Sequence, residues 1–199
     1  GPLFTCQFAS TIADILGIDF TPGNGVRQAP VDPRFKGEPV RESAETTDAG
    51  YFHEVNARPK GNGVLFKYYE GFFTGVGDLA KARVIDSGQM KDFSIDAAKV
   101  EDNFGYEFNS LLKIPASGRY TLSVCSDDGA KVYLDDKLVI DNDGKHSEQI
   151  KGVSVAMDAG YHRLKVLYYE DVGGETLEVG LKGEGMDYDN IPSSMLYYE

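Results

Sequence analysis

The segment Gly118-Arg119-Tyr120-Thr121-Leu122-Ser123-Val124-Cys125-Ser126-Asp127-Asp128-Gly129 decides the fold. In it Tyr120, Leu122 and Val124 alternate with Thr121, Ser123 and Cys125, the period of two by which a strand buries one face. Working outward, Tyr106, Phe108, Leu112 and Ile114 share one parity, with Glu107, Asn109 and Lys113 between them. The pattern returns at Val153, Val155 and Met157, at Leu164, Val166 and Tyr168, and at Leu177, Val179 and Leu181. Turn signals bound each run: Pro115-Ala116-Ser117-Gly118, Asp127-Asp128-Gly129, Asp143-Gly144, Asp158-Ala159-Gly160 and Gly173-Gly174. Short half-buried strands spaced about 8–12 residues apart predict an all-β fold, an antiparallel β-sandwich or barrel. No helix of ordinary length fits between them, which excludes βαβ nucleotide folds.

Upstream of residue 61 the pattern is different. Phe8, Ile12, Ile15 and Leu16 fall at helical spacing, with Ser10 as cap and Gly17 as stop, so residues 1–20 read as one short amphipathic helix. Residues 21–60 carry Pro22, Pro30, Pro33, Pro39 and Pro59 with Gly23-Asn24-Gly25, and read as an extended linker. Residues 61–199 form the β domain. Gly1-Pro2-Leu3-Phe4 reads as the remnant of a cleaved tag on an internal cut, which places any export signal upstream.

Hydrophobic residues at 41% and aromatics at 12% suffice for a packed core and exclude a disordered chain. A net charge of -12 argues against nucleic acid and anionic membrane surfaces as partners. Cys6 and Cys125, far apart, provide neither a disulfide framework nor a zinc spacing, and are expected as separate thiols. His53, His146 and His162 are scattered, and no nucleophile elbow, zinc-protease or phosphate-loop motif occurs. His162, in a strand beside Arg163, is expected to be solvated or locally satisfied.

Aspartate dominates the turns. At Asp135, Asp136, Asp141 and Asp143, turn chemistry explains the choice, since Asp tolerates left-handed backbone. Asp141-Asn142-Asp143-Gly144 begins like an EF-hand loop, but its twelfth position is Gly152 and flanking helices are missing. Asp127-Asp128 differs, because two adjacent acids directly before a Gly gain little as a turn and repel each other. That makes the pair candidate ligands for a cation such as calcium, with Asp143 as a third, and for a bound ligand together with Asn142 and His146. The acidic corners are expected to gather at one rim. Trp is absent, so Tyr69 and Tyr169 are the candidate stacking rings. Each belongs to an adjacent pair in which a strand would bury one ring and expose the other.

These residues carry a resemblance. Tyr106-Glu107-Phe108, Leu112 to Pro115, Gly118 to Leu122, Ser126 to Asp135 and Leu138 to Gly144 resemble the PA-14 (protective antigen) domain. The likeness continues through His146, Gly160-Tyr161-His162, Tyr168-Tyr169-Glu170, Gly173-Gly174 and Ile191-Pro192, over residues 61–199. It implies a sandwich or barrel found in secreted glycosidases, adhesins and toxins. In the family's lectins the pair matching Asp127-Asp128 is joined by a cis peptide and binds calcium, which contacts a sugar. Those lectins add ligands from a late Asn-x-Asp loop, whereas this chain has Glu170-Asp171-Val172-Gly173-Gly174-Glu175 there. Asp136 stands where the family usually has Gly, which positive φ at Asp tolerates. Separately, Thr11-Ile12-Ala13-Asp14-Ile15-Leu16-Gly17 is similar to the closing helix of alkaline-phosphatase-superfamily hydrolases, which include sulfatases and phosphodiesterases.

Together these imply a non-catalytic carbohydrate-binding or substrate-targeting module of a secreted, periplasmic or cell-surface hydrolase. Its partners would be a glycan and its own upstream catalytic domain. Two alternatives stand beside this: a structural spacer without ligand, and a part of a hydrolase active site.

Overall fold

The computed structural model describes residues 47–199. The short helix expected before residue 20, most of the expected linker and Cys6 lie outside them. Thirteen strands follow in order: β1 Thr47–Phe52, β2 Gly61–Asn62, β3 Val64–Glu70, β4 Val84–Met90, β5 Phe104–Ile114, β6 Gly118–Asp127 and β7 Gly129–Leu134. The chain continues through β8 Lys137–Asn142, β9 Gln149–Met157, β10 Gly160–Glu170, β11 Thr176–Gly183, β12 Met186–Tyr188 and β13 Leu196–Tyr198. One sheet has the order β1-β9-β6-β11-β12. The other runs β2-β13-β5-β10-β7-β8, with β3 beside β5 and β4 beside β3. No described strand closes either sheet, so the fold is a sandwich and the barrel alternative falls away.

The alternating residues face one another between the sheets. Tyr106, Phe108, Leu112, Leu164, Val166 and Tyr168 from one sheet meet Leu122, Val124, Val153, Val155, Val179 and Leu181 from the other, all nearly inaccessible. Each such large side chain contributes about 2 kcal/mol by leaving water. Register sets a transverse row, Tyr68–Tyr106–Tyr168–Ala130–Asn142, across β3, β5, β10, β7 and β8. Cys125 is buried in β6.

Two features depart from the sequence reading. Thr47–Phe52, within the stretch read as linker, is a strand paired in parallel with β9. Only Phe52 of its residues is buried, so it joins through backbone hydrogen bonds and leaves no alternation to read. The second concerns the tyrosine pairs, which bury both rings: Tyr68 and Tyr69 are 1% and 3% exposed, Tyr168 and Tyr169 both 0%. A 3-10 turn at Val76–Lys81 covers the outer face of this sheet and packs Phe73, Val76 and Leu79 on Tyr69 and Tyr169. Gly105 permits this contact, because a Cβ there would lie 2.6 Å from Leu79 Cδ2.

Candidate functional site at the Asp127–Asp128 corner

β6 belongs to one sheet and β7 to the other, so Asp127-Asp128 is a crossing point of the sandwich. The crossings from β8 to β9 and from β10 to β11 leave from the same end, after Asn142 and Glu170. Three loops therefore converge there: 127–128, 143–148 and 171–175. The Asp127–Asp128 peptide is cis. The Asp135-Asp136 hairpin lies at the opposite end, against His162 and Asp158, so the acidic corners divide between two ends instead of sharing one rim. Both hairpin aspartates take positive φ, 47° and 66°, as the tight turn demands.

Backbone amides orient the acid pair. Asp128, 2% exposed, accepts from His146 N at 2.9 Å through Oδ1 and from Asp171 N at 2.9 Å through Oδ2. Asp127 Oδ2 accepts from Glu148 N at 3.0 Å, and its carbonyl accepts the Tyr168 hydroxyl at 2.5 Å. The third acid is Glu170, fully buried at the end of β10. Its Oε2 accepts from Asp128 N at 3.1 Å and from Tyr168 Oη at 3.3 Å, while Oε1 is buried with no hydrogen-bond partner among the described residues. One oxygen from each of Asp127, Asp128 and Glu170 lies within 4.8 Å of the other two.

Three carboxylates this close, largely out of water, cannot all be ionised without compensation. Burial, then the charges of Asp128 and Asp127, push Glu170 up to about 7. Burial and then Asp128 likewise raise Asp127 above its ordinary value. The Lys145 ammonium pairs with Asp171 beside the cluster. A proton on Glu170 or a cation among the three acids relieves the repulsion. The donor set is all hard oxygen and includes one orphaned buried atom, which fits the calcium that the resemblance implies.

Glu170 was absent from the sequence-derived candidates. The available signal was Tyr168-Tyr169-Glu170, three consecutive buried residues that break strict alternation. Asp143 is not part of the acid group. It pairs with Lys131 at 3.0 Å and accepts Val76 N at 2.9 Å, which pins the loop before the 3-10 turn. Asn142 is fully buried, donating to Ser126 Oγ at 2.9 Å and to Gln149 O at 3.1 Å, so it braces the corner from within. His146 contributes its backbone N–H, while its ring faces the carbonyls of Asn142 and Ser147. Tyr69 and Tyr169 offer no ring face to solvent and cannot stack on a ligand as expected. His162 is satisfied, not solvated: it is buried between the Asp135 carboxylate and Asp158 O.

A profile of the PA14 domain matches residues 61–194. The chain belongs to the PA14 domain family. Solved structures share the fold of this PA14 domain at low identity. One is an anti-sigma factor domain-containing protein, 22% identical with a TM-score of 0.59, covering 68% of this chain and 48% of that one. The chain thus spans about half the length of that protein. Another is a PA14 sugar-binding domain from an RTX adhesin, 16% identical with a TM-score of 0.58, covering 69% of this chain and 99% of that domain. A third is the epithelial adhesin 6 A domain of Candida glabrata in complex with Galβ1-3GlcNAc, 15% identical with a TM-score of 0.52, covering 72% and 89%. No curated protein matches the chain. Among the described residues of the PA14 domain, no helix is long and apolar enough to cross a membrane.

Proposed function

We propose that this PA14 domain is a non-catalytic carbohydrate-binding module whose glycan, a terminal β-galactoside, is taken at the Asp127–Asp128 corner. The observation that carries the reading is the buried Glu170, one oxygen of which lies within 4.8 Å of an oxygen of each aspartate and whose Oε1 has no hydrogen-bond partner among the described residues. Such a carboxylate is costly unless a proton or cation meets it. Asp127, Asp128 and Glu170 would hold calcium, which when bound offers open coordination positions to sugar hydroxyls. The amides of His146, Glu148 and Asp171 hold the aspartate carboxylates in place before any ligand arrives. The sugar class is taken from structural neighbours, an RTX adhesin domain described as sugar-binding and a Candida adhesin bound to Galβ1-3GlcNAc.

The reading extends to a secreted or surface setting beside a hydrolase domain. Its support is the likeness of Thr11 to Gly17 to a hydrolase closing helix, with residues 1–20 as that domain's tail and 21–60 as a connector that adds β1 to the sandwich. A glycan array probed with and without calcium tests it. Binding to β-galactosides that is abolished by chelator and by Asp127→Ala with Asp128→Ala supports the reading, and an array blank under both conditions overturns it.

One observation favours a second reading, a scaffold without ligand. The aspartate carboxylates already accept three backbone N–H groups that bind the crossing loops together. On that reading the double alanine variant loses stability and no binding ever appears.

A further inference from the structure

A groove of about 450 Å³ runs beside the start of β11, between Phe93, Ile95 and Asp96 of the β4–β5 connection, Glu175 and Glu178, and Asn190. A second hollow of about 300 Å³ shares Ile95, Asp96 and Glu175 with it and extends to Glu101 and Phe104. The two hollows adjoin along these three residues and together form a trough. It opens next to the acid corner: Thr176 pairs with Asp127 across the sheet, and a Cβ on Gly174 would lie 3.8 Å from Asp127 Oδ2. From Glu175 to Glu178 the strand advances about 10 Å, room for about two sugar rings beyond the corner.

The lining selects the ligand's chemistry. Phe93 and Ile95 fill the trough's inner side with buried apolar bulk, 4% and 9% exposed. Around them stand carboxylates, the Asn190 amide and hydroxyls such as Ser94 and Ser193. Among the described residues Lys99 is the one basic residue of either hollow, and its ammonium is paired with Asp86 at 2.7 Å. Carboxylates and amides accept hydrogen bonds from sugar hydroxyls, whereas an anionic sugar would meet like charge across a desolvated contact. The total charge of -12 acts in the same direction.

We infer that this trough is an extended subsite that accepts the next two residues of a neutral β-galactoside-terminated oligosaccharide and rejects acidic ones. The inference rests on the carbohydrate-binding reading and adds chain length and charge selectivity to it.

The test titrates the isotopically labelled full chain, in calcium, with Galβ1-3GlcNAc and with the tetrasaccharide lacto-N-tetraose, following backbone amide shifts. Both glycans are expected to move the amides of Asp128, His146 and Asp171. Only the tetrasaccharide should also move Asp92 to Asp96, Glu175 to Glu178 and Asn190 to Ser193, with a Kd about tenfold lower. Lacto-N-tetraose with its reducing glucose oxidised to the aldonate, which puts a carboxylate at the end that lies in the trough, should bind weakly to the natural chain and gain affinity with Glu175→Lys, an exposed position whose change leaves the core untouched. Equal affinity for the two neutral glycans, with the trough amides unmoved, overturns the subsite while leaving the carbohydrate reading intact. Binding of the aldonate as tight as that of lacto-N-tetraose overturns the charge selectivity. Silence from both neutral glycans overturns the subsite and the β-galactoside assignment together.

Discussion

Replacing Glu170 by Gln isolates the chemistry of the acid corner. Gln keeps an acceptor for Asp128 N and Tyr168 Oη while removing the charge at the orphaned position. In the native chain Glu170 rises from an ordinary 4.5 to about 7, because it is buried and faces Asp128 and Asp127. Between those pH values the folded chain holds a proton that the unfolded chain has released. Stability therefore falls as pH rises through this window and levels off above it. The rise corresponds to about 3 kcal/mol, present in full at pH 4 and lost by pH 8. Gln cannot titrate, so the difference in stability between variant and native chain should grow in the variant's favour by about 3 kcal/mol over the same range. Urea denaturation in chelator at stepped pH measures it, and subtraction cancels the titrating groups that do not face Glu170. Calcium should restore the native chain at pH 8 by mass action and leave the variant nearly unchanged. A difference that stays flat from pH 4 to pH 8 would refute the reasoning about the corner.

Asp128→Ala should cost about 2–5 kcal/mol, since it strands the part-buried N–H groups of His146 and Asp171, and thermal melts with urea titration would show it. Gly129→Ala should destabilise by about 1–3 kcal/mol, because its Cβ would lie 2.4 Å from Tyr169 Cε1 and 2.9 Å from Gly144 N; a wild-type urea midpoint would contradict this. For His162, burial pulls the pKa down, but the hydrogen bonds to Asp135 and to Asp158 O outweigh it and raise the pKa above 6.5. Its stabilising contribution is thus complete below pH 6.5 and fades as pH rises through the raised value. Asp135→Asn should move the ring's NMR titration to lower pH, and an unmoved titration would disprove the pairing.

The sandwich was legible because alternation in β5, β6, β9, β10 and β11 follows directly from one buried face. Where another element covers the second face, alternation disappears. Tyr169 looked available for stacking because the Val76–Lys81 turn that covers it carries no periodic signature in sequence. Strand β1 was missed for the opposite reason: it buries little, and backbone pairing leaves no side-chain pattern. The Asp127-Asp128 pair stood out from the other acidic turns through like-charge repulsion, and it is the pair that the structure joins to a third acid. Glu170 escaped notice because a glutamate ending a strand normally faces water, and only the crossing of β6 into β7 encloses it. Asp143 was grouped with the pair as a carboxylate from a separate loop expected at the same rim, yet its contacts are to Lys131 and Val76 N instead of to the pair.

The most direct test is an anomalous difference map from crystals grown in calcium at pH 8, where Glu170 is mostly ionised. A peak should stand about 2.3–2.6 Å from oxygens of Asp127, Asp128 and Glu170 together. Clean density with no peak among these three carboxylates, at calcium concentrations that saturate ordinary sites, would contradict the account.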